Sequence, residues 1–86
     1  MDYISCMINF TLGQKVVVKK DDHTEILDCE NIDKLPKMMY NISKEKEINK
    51  IVLGGNNDFT HRVGQDIQEL RLANFDKTNL EITYLP

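Results

Sequence analysis

Apolar and polar residues alternate through "YISCMINF", Tyr3 to Phe10. Ile4, Cys6, Ile8 and Phe10 fall on one side, and Tyr3, Ser5, Met7 and Asn9 on the other. A period of two predicts a β-strand with one side buried. "TLGQ" follows, where Gly13 can take the positive φ of a tight hairpin turn. "KVVVKK" is short and β-branched and predicts a second strand. "DDH" reads as a second turn, with His23 exposed in it. "TEILDCE" reads as a third strand, charged enough to lie at a sheet edge.

The pattern then changes to a helical period. Pro36 suits a first helical turn, where its missing N–H costs nothing. Leu35, Met38, Met39 and Ile42 share one face, which predicts a helix over about 35–47. "KIVLGG" carries consecutive apolar residues, the mark of a strand buried on both faces. Phe59, Val63, Ile67 and Leu70 form the stripe of a second helix, with Asn57 or Asp58 as its N-cap. Gly64 inside that helix costs ~1 kcal/mol against alanine, which points to close packing on the sheet. "NFDKTN" ends the helix. In "LEITYL", Leu80, Ile82 and Tyr84 alternate with Glu81, Thr83 and Leu85 as a last strand near an edge.

The resulting order is β-β-β-α-β-α-β in one domain, residues 1–86. Two hairpins and two right-handed crossovers give an α/β mixed sheet of strand order 3-2-1-4-5, with the second strand antiparallel to the others. Both helices are expected mainly on one face. This arrangement resembles the ribonuclease H-like fold in a minimal form, without its C-terminal helix, over nearly the whole chain. The stretch "KIVLGGNNDFTHRVGQDI" is also similar to small proteins of phages and mobile elements of low-GC bacteria. A bias toward Lys, Asn and Ile, together 26 of 86 residues, is what AT-rich coding sequence produces.

Composition narrows the function. Apolar content of 41% and charged content of 29% are those of an ordinary globular domain. A net charge of −3 argues against a general nucleic-acid binder, which would carry a basic stripe. Cys6 and Cys29 are too few for a disulfide framework or a zinc site, and read as buried small hydrophobes. The N-terminus has no secretory signal pattern, and no apolar run exceeds three residues. The expectation is a cytoplasmic protein with no membrane segment.

The resemblance to ribonuclease H-like enzymes implies acidic residues around two divalent metals, which activate water and hold phosphate in line. Here the sequence departs from that pattern. Only Asp2 precedes the first strand, Glu45 and Glu47 stand at the far end of the first helix, and Asp58 alone follows the fourth strand. A lone carboxylate cannot hold two cations, so the reading is no metal, no cofactor and no enzyme activity.

Gly54, Gly55, Asn56, Asn57 and Asp58, with His61 one turn on, form the candidate ligand loop. Free N–H groups at a helix start attract anions. However, the loop lacks the third glycine of a dinucleotide fingerprint and the Lys-Ser/Thr of a P-loop, and Asp58 would repel a phosphate. An Asx-capped strand-to-helix turn is the simpler reading. His61 with Asp58 could act as general base, yet no nucleophile stands near, and a solvated face with an Arg62–Asp66 pair is favoured.

One sheet face then remains uncovered, carrying Tyr3, Ser5, Met7, Val17, Val52 and Thr83. This candidate interface predicts a small non-enzymatic interaction protein that forms a homodimer or docks a protein partner. A nucleotide or small anion at the glycine loop is the alternative, and a degenerate nuclease-like binder of nucleic acid the second.

Overall fold

A computed structural model describes residues 1–11 and 13–86. Strands β1 (Tyr3–Ile8), β2 (Gln14–Lys20) and β3 (His23–Cys29) are followed by a 3₁₀ turn (Ile32–Lys34) and helix α1 (Leu35–Lys46). Strand β4 (Lys50–Gly55), helix α2 (Asn57–Ala73) and strand β5 (Glu81–Tyr84) complete the chain. The strands form one mixed sheet of order β3-β2-β1-β4-β5. β2 is antiparallel to β1 and β3, whereas β1–β4 and β4–β5 are parallel. This is the α/β architecture expected from the alternation of periods.

Both helices cover the same side of the sheet and pack on each other. Ile4, Cys6, Ile8, Val16, Val18, Ile51 and Leu53 point into that side, where Leu35, Met39, Ile42, Val63 and Ile67 meet them. The extents of 31 × 31 × 24 Å leave the short axis room for one sheet and one helical layer, since a helix with side chains is about 10–12 Å across. At Gly64 the Tyr84 side chain of β5 reaches α2: a Cβ there would overlap the Tyr84 hydroxyl. Close packing on the sheet is therefore the reason for that glycine.

Local chemistry moves several boundaries. β1 ends at Ile8, so Phe10 leaves the buried row and is 80% exposed. The cause is Gln14, buried at the base of the loop. Its amide accepts from Asn9 N–H at 3.1 Å and donates to the Asn9 and Thr11 carbonyls at 3.1 and 3.0 Å. These bonds replace the next pair of the β-ladder. The turn expected over 11–14 includes Leu12, which lies outside the described residues. His23 starts β3, while the turn itself is Asp21–Asp22, with Asp21 at φ 55°. The Asp2 carboxylate accepts from the Asp21 N–H at 2.8 Å, and this bond, with Lys20 nearby, holds it below its ordinary value.

The cap of α2 is Asn56, rather than Asn57 or Asp58. Asn56 is extended, and its side chain accepts from Phe59 N–H at 3.2 Å while its carbonyl accepts from Thr60 N–H at 2.9 Å. α1 closes on Glu47 in the left-handed conformation, and Ile48 N–H returns to the Ser43 carbonyl at 3.0 Å.

Candidate functional site

The face opposite the helices is built by strand alternation, and β4, expected to be buried on both faces, alternates too, with Ile51 and Leu53 buried and Val52 half-buried on the open side. Ile26, Val17, Ser5, Val52 and Thr83 are register partners across all five strands and form its middle row. Tyr3 and Lys19 lie on one side of that row, and Met7 and Lys15 on the other. All six residues expected on the uncovered face are there together: Tyr3, Ser5, Met7, Val17, Val52 and Thr83. Met7 is 59% exposed, Ile26 65% and Leu85 41%. A single surface leucine or isoleucine needs no explanation, but apolar side chains on four neighbouring strands of one face do.

Two small residues give this face its shape. Ser5 keeps the centre of the middle row low. Gly54, the partner of Met7 on β4, has no side chain, and a Cβ there would meet Met7 Sδ at 2.6 Å and Leu85 Cδ1 at 3.2 Å. Met7 and Leu85 therefore lie across Gly54. Beside them a groove of about 460 Å³ opens, lined also by Met1, Tyr3, Ser5, Val52, Lys19 and Lys50. Val17 stands beside Ser5 in the same row. Ile26, Leu85, Lys19 and Lys50 belong to the face although periodicity did not single them out. The register would have placed them, once strand order was known.

The glycine loop has a different role. Gly55 sits at φ +95°, and a Cβ there would overlap the Ile8 carbonyl, which accepts from Asn56 N–H at 2.9 Å. Gly54 and Gly55 thus serve close contact with β1. Asn57 and Asp58 open α2 on the surface, and His61 stacks on Tyr84, ring centroids 4.7 Å apart. Asp58 and His61 form no hydrogen bond, nor do Arg62 and Asp66 form an ion pair, among the described residues. Asp2, Glu47 and Asp58, the carboxylates weighed as metal ligands, are also dispersed. Asp2 and Glu47 lie near the start of the parallel strands β1 and β4, while Asp58 lies beyond the end of β4. Six strand residues separate the two groups, a length of roughly 20 Å. Among the described residues no three of His, Cys, Asp or Glu are placed to hold a metal.

Two further features escaped the sequence patterns. Phe10 meets Phe59 edge-on at 5.7 Å, and with Ile32 and Met38 they wall a shallow cleft of about 1060 Å³ above Cys29. The second is a polar cluster at the end of the helical layer. The Asp76 carboxylate is 2% exposed and accepts from Tyr40 Oη at 2.8 Å and from the Thr78 amide and hydroxyl at 2.9 and 2.6 Å. Lys44 Nζ lies 3.2 Å from it. An Asp-x-Thr spacing after the helix was the available signal for the local half of this cluster. No helix among the described residues is long and apolar enough to cross a membrane. Compared with protein-family models and with curated proteins, the chain matches none.

Proposed function

We propose that this protein is a non-enzymatic interaction module that docks another protein on its open sheet face. The observation that carries the reading is the uncovered row of Ile26, Val17, Ser5, Val52 and Thr83, flanked by exposed Met7 and Leu85. A face with apolar side chains on four neighbouring strands, and no helix of the described residues on it, has the character of an interface. Its methionines are adaptable side chains suited to recognition. In this reading the molecule is a pared-down ribonuclease H-like domain that has kept the sheet without the carboxylates. Two free, buried cysteines fit a reducing compartment such as the cytoplasm. A phage or mobile element is the source we favour, on the compositional bias and on the likeness of residues 50–67 to small proteins of such elements.

An anion at Gly54–Asp58 draws no comparable support, because both glycines already serve contact with β1. The test is photo-crosslinking in the producing cell, with a benzophenone amino acid placed at Val52 or at Gln65 on the outer side of α2. Adducts are expected from Val52 and not from Gln65. Equal yields from the two faces would overturn the assignment.

A further inference from the structure

The open face carries a charge pattern as well as apolar area. Lys19 is registered on Tyr3, and Lys50 lies one position before the Ile4–Ile51 pair, so Lys19, Tyr3 and Lys50 form a row across β2, β1 and β4. Strand spacing sets the two lysine positions ~10 Å apart with Tyr3 between them. Both line the groove, and among the described residues no carboxylate does. The third lysine of this face, Lys15, is paired with Asp28. Among the described residues neither Lys19 nor Lys50 has a carboxylate within 4.0 Å. Glu81, the cross-strand neighbour of Lys50, accepts from Thr83 Oγ1 at 3.3 Å instead. In a chain of net charge −3 this groove is a local positive site.

Building on the docking role proposed above, we infer that the groove receives an amphipathic helix of a partner protein whose apolar stripe is bordered on both margins by carboxylates. A sheet face is buried against the apolar side of another element, of which the apolar stripe of a helix is one. A helix running along β1 sets that stripe on Tyr3 and Met7, with Lys19 on β2 and Lys50 on β4 on either side of it. Rim charges of this kind select among partners more than they add affinity.

A two-fold axis along the strands over β1 brings Lys19 of one copy over Lys50 of the other, whereas an axis between β1 and β4 brings Lys19 over Glu81, so a second copy is an outcome that the test must separate. An anionic membrane is disfavoured, since its recognition takes clusters of roughly 4–8 basic residues.

The probes are two synthetic helices with one leucine–alanine stripe, bordered by glutamates in one peptide and by lysines in the other. Each is titrated into isotope-labelled protein at low salt. The glutamate peptide is expected to shift the amides of Tyr3, Ser5, Met7, Val17, Val52 and Thr83, and to bind about tenfold more tightly than the lysine peptide. K19Q/K50Q erases that preference, and K19E/K50E reverses it, with amide dispersion confirming that both variants fold. Equal affinities on this face would overturn the charge-selected helix and leave the docking role standing. Shifts confined to the helical side would overturn both. A doubled mass by light scattering, with neither peptide shifting the face, would assign it to a second copy and overturn the inference.

Discussion

At Gly55 a Cβ would overlap the Ile8 carbonyl oxygen, and the backbone sits at φ +95°, where a side chain is strained in any case. β1 and β4 are the middle of the sheet, so neither strand can retreat without opening the core. Gly55→Ala is expected to destabilise by about 2–4 kcal/mol, read from the midpoint of urea unfolding. Gly64 calls for a different experiment, because its neighbour is the tip of Tyr84, a half-exposed side chain on the short edge strand. Alanine there gains ~1 kcal/mol of helix propensity and displaces Tyr84. Gly64→Ala should therefore lower stability in the native background and raise it by ~1 kcal/mol in a Tyr84→Ala background. Urea melts of the four proteins give that sign change directly. Cys6 adds a reporter: burial, reinforced by Cys29, pushes its thiol up to about 11. Its reaction with a disulfide reagent at neutral pH should follow unfolding of the molecule, and a fast reaction in the folded state would contradict this.

Between elements, the most connected group is Asp76, which ties the end of α2 to α1 and to the approach of β5. The Thr78 hydroxyl and amide, then the Tyr40 hydroxyl, hold its carboxyl well below the usual carboxylate range, and Lys44 adds to them against the cost of burial. A depressed folded-state pKa gives stability that is complete above the unfolded value, ~3.9. That stability is lost as pH falls through that value toward the folded one. Urea midpoints should accordingly hold steady from neutral pH to ~4 as far as Asp76 is concerned, and decline below it. Asp76→Asn should be less stable at neutral pH and lose that share of the acid dependence. Tyr40 shows why such a cluster is hidden in sequence. It lies 36 residues from Asp76, and no periodicity links a helix face to a loop so distant. By contrast, the stripe Phe59–Val63–Ile67–Leu70 and the alternation of Ile4, Cys6 and Ile8 were legible because the whole signal lies within one element. Phe10 failed for a related reason. It keeps the period of β1, but the Gln14 side chain ends the ladder, and a side chain crossing a hairpin leaves no trace in a hydrophobicity pattern.

For the whole molecule, the decisive arrangement is that both helices cross in the same direction and leave one sheet face uncovered. Strand order could be argued from element order, and with it the existence of the open face. Its charge row could not, because Lys19 and Lys50 are 31 positions apart and become neighbours of Tyr3 only through register. Val52→Glu is expected to leave the fold and its unfolding midpoint within ~0.5 kcal/mol, since the residue faces away from the core, while removing peptide binding at the open face. Circular dichroism and the peptide titration separate those effects.

Strand alternation also divides this protein's evolutionary freedom by position. On β1 the even-numbered residues Ile4, Cys6 and Ile8 answer to the core, and the odd-numbered Tyr3, Ser5 and Met7 answer to whatever lies on the face. β2 follows the same parity, and β4 reverses it, with Ile51 and Leu53 inward and Val52 outward. A saturation mutagenesis scored once for abundance and once for binding should therefore separate into interleaved sets, each blind to the other. Partner choice could then drift through every second residue of the sheet while the fold beneath stayed unchanged.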